Sequence, residues 1–359
     1  MAGPMKIAVL DDYQSISHQH FKTLDAIKYH VEYFSDTLPP YNHVSTSEST
    51  KEQLIRRLEP FDIICSMRER TPFPSALLAH LPRLKLLLNT GVRNKSLDLE
   101  YCRKHGILVA GASDVGHGDS GPDSTTQHCV ALILALARGL IEDDNNVKNG
   151  LWQTSLAVGL PGKTLGCLGL GRLGGAVANI MSQAFNMKVI AWSENLTQEK
   201  ADALASDLGL PLESNQYGEK TFKAVSREEL FSQADFLSVH LVLSERSRGL
   251  VTRADLSRMK PTAFFVNTSR GPIVEERDLL DILSQGKIRG AALDVFDSEP
   301  LPPDSKWRDP NWGKNGTSKV LLTPHMAYVE DASMDGFYRQ QVNNIQRWEN
   351  GQDLLVRLA

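Results

Sequence analysis

The chain has 359 residues, with 39 Lys and Arg against 43 Asp and Glu, a formal charge of −4. That length suggests about two domains, and 41 % hydrophobic with 23 % charged residues is the balance of a globular protein with ample material for cores. The mild, evenly spread acidity leaves no electrostatic footprint for nucleic acid, and no apolar run reaches the ~20 residues of a membrane span. Cys65, Cys102, Cys129 and Cys167 form no CxxC and no Cys/His metal spacing, so neither a disulfide framework nor a metal site is expected. The opening MAGPMKIAVLDDYQ has no apolar signal region, which predicts a cytoplasmic protein.

In chain order, short β-branched runs alternate with helical patterns. Strands are predicted over 6–10 (KIAVL), 61–65 (FDIIC), 85–88 (KLLL) and 107–109, with helices over 52–58 and 96–104 among them. The stretch 111–122 (GASDVGHGDSGP) reads as a hinge between domains. A long apolar-periodic helix follows from Ser124 to about Val147, with Ser124 or Asp123 as its N-cap. Further strands are predicted over 164–168, 188–192, 236–239, 262–266, 291–295 and 319–322, with helices over 173–185 and 275–284. The stretch 300–318, loaded with Pro, Gly, Asn and Trp, reads as a surface excursion, and a last helix runs from Asp331 to about Asn350. This alternation implies βαβ units and an α/β fold of doubly wound parallel sheets with helices on both faces.

The run TLGCLGLGRLGGAVA carries Gly169-Leu-Gly171-Arg-Leu-Gly174. GxGxxG alone is weak, because glycine is common in turns. Here a strand feeds the first glycine and an Ala/Val-rich helix leaves the last, which is the context of a dinucleotide fingerprint. Gly169 permits the tight turn, Gly171 lets backbone approach a pyrophosphate, and Gly174 allows close helix–strand packing. N–H groups near Arg172 and Leu173, at the positive helix end, then hold phosphate. The next strand ends at Ser193 and Glu194, where an NAD enzyme usually places an Asp on the adenosine ribose. Ser193 does not repel a 2′-phosphate, but no Arg follows to attract one, and Glu194 suits the Asp role if shifted by one position. NAD is favoured over NADP on that ground; a solvated loop carboxylate is the plainer reading of Glu194.

Five segments carry a resemblance: LKLLLNTGV (84–92), KNGLWQTSLAVGLPGKTLGCLGLGRLGG (148–175), DFLSVHLVLSERSRGLVTRADLSRMKPTAFFVNTSRGPIV (235–274), GAALDVFDSEP (290–300) and TPHMAY (323–328). Together they resemble the D-isomer-specific 2-hydroxyacid dehydrogenase family, which includes glyoxylate/hydroxypyruvate reductases and phosphoglycerate dehydrogenases. The likeness covers essentially the whole chain. It implies two Rossmann-like domains with a cleft between them and the cofactor domain inserted into the substrate domain. The substrate (catalytic) domain is then 1–122 plus 325–359, and the NAD(P)-binding domain 123–324. A homodimer is also implied.

The resemblance assigns roles by position. Reducing a 2-oxo acid needs a cation for the carboxylate and carbonyl, a proton donor for the oxygen, and a hydride from a nicotinamide. Arg270, in NTSRG, matches the family's substrate arginine, and its planar fork suits a carboxylate beside a carbonyl. His325, in TPHMA, matches the acid/base, a group that gives and takes a proton near working pH. Glu299, in VFDSEP, matches the carboxylate that orients this His and stabilises its imidazolium; Asp297 is a nearby competitor. Formate dehydrogenases of the wider family use Gln where Glu299 stands, so that subfamily is disfavoured. Asp294 aligns with an Asp near the nicotinamide carboxamide, with a buried strand-end carboxylate as the alternative. Thr268 and His240 match cofactor-wall positions, and LVL follows His240 where the family often has LPL.

The substrate loop departs from the family's GxGxDNID pattern. Here it is GVRNKSLD, so Val92 and Arg93 occupy the backbone-donor positions, and Arg93 replaces a Gly. Arg68, with Arg70, follows the strand FDIIC and is a further candidate for substrate contact, against a solvated ion-pair cluster. The resulting expectation is an NAD(P)H-dependent reductase of a 2-oxo acid to the D-2-hydroxy acid, acting reversibly, with no metal. Two alternatives stay open: a nucleotide-sensing scaffold like the C-terminal-binding-protein corepressors, and a reductase of an imine or unusual oxo acid.

Overall fold

The computed structural model describes residues 3–44, 46–92, 94–113, 122–214 and 218–359. The chain forms two compact units, one of Met1–Gly121 with Glu330–Ala359 and one of Pro122–Val329.

The first unit is built on a five-stranded parallel sheet. Its strands are β1 (Met5–Val9), β2 (Tyr29–Tyr33), β3 (Ile63–Ser66), β4 (Leu86–Asn89) and β5 (Leu108–Ala110), in the order β2-β1-β3-β4-β5. β3 and β4 are buried at every residue, as strands covered on both faces must be, which is why they stand out as apolar runs. β2, absent from the sequence reading, is a sheet edge whose YHVEY run is mostly half-exposed or exposed. The helix Asp331–Glu349 returns to this unit and buries Met334, Phe337, Tyr338, Val342 and Ile345. The Tyr338 hydroxyl donates to Asp12 at 3.3 Å. Beyond that helix the chain covers β5: Leu358 N–H donates to Val109 O at 2.8 Å, and Val109 N–H to Ala359 O at 3.1 Å.

The second unit holds β6 (Thr164–Leu168), β7 (Lys188–Trp192), β8 (Glu213–Ser214), β9 (Glu219–Lys220), β10 (Phe222–Ala224), β11 (Phe236–Val239), β12 (Phe264–Asn267), β13 (Gly290–Leu293) and β14 (Lys319–Leu322). Seven of them make one parallel sheet in the order β10-β7-β6-β11-β12-β13-β14, while β8 and β9 pair antiparallel beside it. Helices cover both faces. Leu132, Ile133, Val177 and Met181 pack in one core, and Leu230, Phe231, Leu256, Leu279 and Leu283 in the other. β8, β9 and β10 were not foreseen because they are two or three residues long, too short to carry a pattern.

Two further expectations change. The single helix expected from Ser124 is two, Ser124–Arg138 and Leu140–Lys148, bent by 57°. Gly139 makes the break: its φ of 65° is left-handed and closes the first helix while opening the second. Asp123, rather than Ser124, is the N-cap, accepting from Thr126 N–H. The stretch 300–318 is more than a surface excursion, because Trp307 within it is 2 % exposed and packs into the second core. Of the expected hinge 111–122, residues 114–121, His117 among them, lie outside the described part.

No single helix among the described residues is long and apolar enough to cross a membrane. Among them, too, no group of three His, Cys, Asp or Glu is arranged to hold a metal ion, and the four cysteines are free and buried.

Candidate active site

Because the seven strands of the second unit's main sheet are parallel, their carboxyl ends share one edge, where open α/β sheets bind ligands. Gly169 leaves β6 there, Ser193 leaves β7, His240 leaves β11, Thr268 and Arg270 leave β12, Asp294 leaves β13, and His325 follows β14.

The three fingerprint glycines differ in what surrounds them. Gly169 has φ of 103°, and a Cβ on it would lie 3.0 Å from the His240 carbonyl. A Cβ on Gly174 would lie 2.2 Å from the Gly169 carbonyl oxygen. One on Gly171 would meet nothing within 4 Å. Gly171 opens the helix Arg172–Phe185, which has no side-chain cap, so the first N–H groups, those of Arg172 and Leu173, suit an anion at the positive helix end. A loop closed at both flanks and open at Gly171 fits a pyrophosphate. The Arg172 side chain pairs with Asp123 at 2.6 Å and is largely exposed.

The rest of the cofactor wall is mixed. Ser193 is half-buried and Glu194 exposed, in a turn closed by Leu196 N–H on Ser193 O at 3.0 Å. Thr268 is buried. His240 donates its backbone N–H to Leu168 O at 2.8 Å, and its Nε2 is sealed from solvent with no hydrogen-bond partner among the described residues. Burial holds its imidazole down to about 4, so the ring is neutral. An orphaned nitrogen beside the glycine loop is a polar group that a bound ligand would satisfy.

The loop after β12 is shaped by Asn267. Its side chain donates to Arg270 O at 3.1 Å and accepts from Ser269 N–H at 3.0 Å, while Ser269 Oγ donates to Val239 O at 2.7 Å. Arg270 is half-buried, and its Nη1 donates to Ser269 O at 2.7 Å. Gly271 allows this loop to lie directly on the next one: a Cβ there would sit 2.0 Å from the Phe296 carbonyl carbon. Phe296 N–H in turn donates to Glu299 Oε1 at 2.9 Å. The Arg270 and Glu299 loops are therefore one interlocked piece of backbone.

Glu299 Oε2 lies 2.6 Å from His325 Nδ1. That contact commits Nδ1 to a carboxylate and orients the ring. His325 has φ of 55°, unusual for a residue with a side chain, and donates its N–H to Asp294 O at 2.7 Å. The Asp294 carboxylate, wholly buried, accepts from Thr323 Oγ1 at 2.6 Å, Met326 N–H at 2.7 Å and Ala327 N–H at 3.0 Å. Burial pushes this carboxyl up, but the hydrogen bonds from His128, Thr323 and Met326 outweigh it and hold the group below the usual carboxylate range. Asp297, the competitor for the role of Glu299, is exposed.

The expected substrate residues lie in the first unit. Arg68 follows β3 with φ of 51°, its N–H donating to Thr90 Oγ1 at 2.8 Å, and its guanidinium lies against Gly91. Val92 is 49 % exposed, and Arg93 lies outside the described residues. His128 was missed altogether: its Nε2 is 3.3 Å from Asp294 Oδ1 and 3.0 Å from Thr323 Oγ1. The only signal was a lone His on an apolar helix.

Comparison with known proteins adds to this geometry. Residues 130–327 match the family described as D-isomer specific 2-hydroxyacid dehydrogenase, NAD binding domain. The chain is 33 % identical over 308 residues to a glyoxylate reductase of Aeropyrum pernix, covering 83 % of this chain and 80 % of that protein. It is 30 % identical over 285 residues to a glyoxylate reductase of Thermococcus litoralis, covering 77 % of each. Among solved structures it is similar to a phosphoglycerate oxidoreductase from Vibrio cholerae O395, with a TM-score of 0.76, 33 % identity, and 97 % of this chain and 99 % of that one covered.

Proposed function

From the premise that the chain belongs to the D-isomer-specific 2-hydroxyacid dehydrogenase family, we propose the following chemistry for its residues. The protein is an oxidoreductase that reduces a 2-oxo acid to the D-2-hydroxy acid with a nicotinamide cofactor, reversibly. The observation that carries the residue assignment is the His325–Glu299 pair at 2.6 Å, locked through Gly271 and Phe296 to the loop that holds Arg270.

Arg270 binds the substrate carboxylate and polarises the 2-oxo carbonyl through its planar set of N–H donors. His325, protonated, gives its Nε2 proton to the carbonyl oxygen as C2 accepts a hydride, so the ketone becomes a secondary alcohol. Gly171 and the N–H groups of Arg172 and Leu173 would hold the pyrophosphate of a nicotinamide dinucleotide, which would supply that hydride. Glu299 stabilises the imidazolium before transfer and fixes the ring afterwards. In the reverse direction neutral His325 takes the hydroxyl proton.

Finer points belong to the same proposal. Nucleotide binding falls to the second unit, with Gly169, Gly174, Ser193, Glu194, His240 and Thr268 around the cofactor, and substrate recognition to the first, through Arg68, Val92 and Arg93. NAD is favoured over NADP by the Glu194 carboxylate, which would repel a 2′-phosphate. A homodimer is supported by an apolar surface on the second unit, where Leu140, Ile141, Val147, Leu151, Trp152 and Leu156 are all exposed.

The test is a panel of 2-oxo acids (glyoxylate, hydroxypyruvate, pyruvate, aromatic and branched acids) with NADH and NADPH in parallel. Cofactor oxidation by at least one acid, faster with NADH, is expected. Normal cofactor binding with no turnover of any acid would overturn the enzymatic reading in favour of a nucleotide-sensing scaffold.

A further inference from the structure

His128 stands on the helix Ser124–Arg138, which packs against β12 and β13. Its side chain is 22 % exposed, and its Nε2 approaches Thr323 Oγ1 at 3.0 Å and Asp294 Oδ1 at 3.3 Å. Thr323 Oγ1 is itself 2.6 Å from the same Oδ1. The proton placement follows from counting donors. Asp294 accepts two backbone N–H bonds, from Met326 and Ala327, so it is a carboxylate. The Thr323 hydroxyl has one proton, and that proton faces Asp294. Thr323 Oγ1 therefore has only lone pairs to offer His128, and Nε2 must carry a hydrogen shared between Thr323 and Asp294.

These contacts flank the acid/base residue. Thr323 lies two positions before His325 and Met326 directly after it, and both are bound by Asp294 Oδ1. The His325 N–H is bound by the Asp294 carbonyl, at a left-handed φ of 55° that the local chain would not adopt unaided. The segment that aims the His325 ring at Glu299 is thus wrapped around one carboxylate, and the helix reaches that carboxylate through His128.

We infer that His128 is a positioning residue for His325, acting through its Nε2–H on Asp294 and Thr323 to fix the segment that carries the acid/base ring. This rests on the reading of His325 as that acid/base. His128 touches neither His325 nor Glu299 in any contact described above. Among the described residues, His325 meets the titratable groups Glu299, on Nδ1, and Tyr328, edge-on at 5.6 Å; His128 Nε2 meets Asp294. Loss of the His128 donor loosens the segment and lengthens the His325–Glu299 contact, so the ring is no longer held in one orientation.

Two near-isosteric variants test this. Gln in His128→Gln places an amide N–H at the reach of Nε2, whereas Asn in His128→Asn falls short of it. The first readout is the imidazole NMR signal of His325 in the protein without cofactor, identified by its loss in His325→Ala. The second is reduction, with NADH and NADPH, of a 2-oxo acid that the wild type turns over. For His128→Asn the His325 signal is expected to shift or broaden, and turnover to fall about tenfold with cofactor KM unchanged. His128→Gln is expected to stay near wild type in both. Wild-type behaviour of both variants, or an equal change in both, overturns the inference. Full turnover of His325→Ala instead overturns the acid/base reading beneath it, whatever the NMR signal shows.

Discussion

His325 and Glu299 meet through Nδ1 and Oε2 at 2.6 Å, with side chains only 17 % and 21 % exposed. In so sheltered a place the carboxylate charge matters more than its shape. Glu299→Gln keeps the shape and removes the charge, so the His325 ring loses its anionic partner. Turnover should fall about 10- to 100-fold, with cofactor binding unchanged. Steady-state kinetics checks this; wild-type turnover would contradict the pairing as the functional contact.

Arg270→Lys retains charge but replaces a planar fork with a single point of contact. The oxo-acid KM is expected to rise about tenfold or more, while the NADH dissociation constant, read by fluorescence titration, stays put. A selective loss of NADH binding would place Arg270 on the cofactor instead.

The fingerprint glycines separate folding from binding. In Gly174→Ala the new methyl meets the Gly169 carbonyl, which is backbone and unable to move aside. A destabilisation of about 1–3 kcal/mol is expected, visible as a lower melting temperature. Gly171→Ala has open space and should melt like the parent, yet lose at least about tenfold in NADH affinity because the methyl stands where the pyrophosphate approaches. Equal melting temperatures for both variants would refute the packing argument.

Asp11 gives the first unit a pH dependence. It is 3 % exposed, and burial pushes its carboxyl up to about 6 against the hydrogen bonds of Thr37 and Thr71 and the charges of Arg70 and Arg57. The unfolded value is about 3.9. A group whose folded pKa is the higher one favours the fold most when protonated. Stability should therefore fall as pH rises from about 4 to about 6 and then level off, by about 2–3 kcal/mol in all. Asp11→Asn should remove that slope. Hydrogen exchange of the β1 amides at pH 5 and pH 8, in both proteins, measures it.

Much of this was readable in the residues. The glycine loop and the TPHMA and VFDSEP segments announce themselves because turn geometry and catalysis demand those residue types there. Strands buried on both faces, such as IICS and LLLN, are apolar throughout and equally plain. What escaped depends on tertiary partners. YHVEY becomes β2 only because β1 offers it a ladder. Gly139 ends a helix within a run whose periodicity continues beyond it. Trp307 looked like loop decoration until the second core took it in. His128 acquired a role only from a carboxylate and a hydroxyl far along the chain, and no spacing rule foretells that.

The return of residues 330–359 to the first unit fixes an order of events during synthesis. The second unit is complete once Val329 has left the ribosome. The first is not: β5 keeps an open edge, and the bed of Phe337, Tyr338 and Ile345 stays uncovered, until the segment ending at Ala359 arrives. The first unit, begun before the second, thus closes after it, and for that interval the unpaired edge of β5 is open to aggregation.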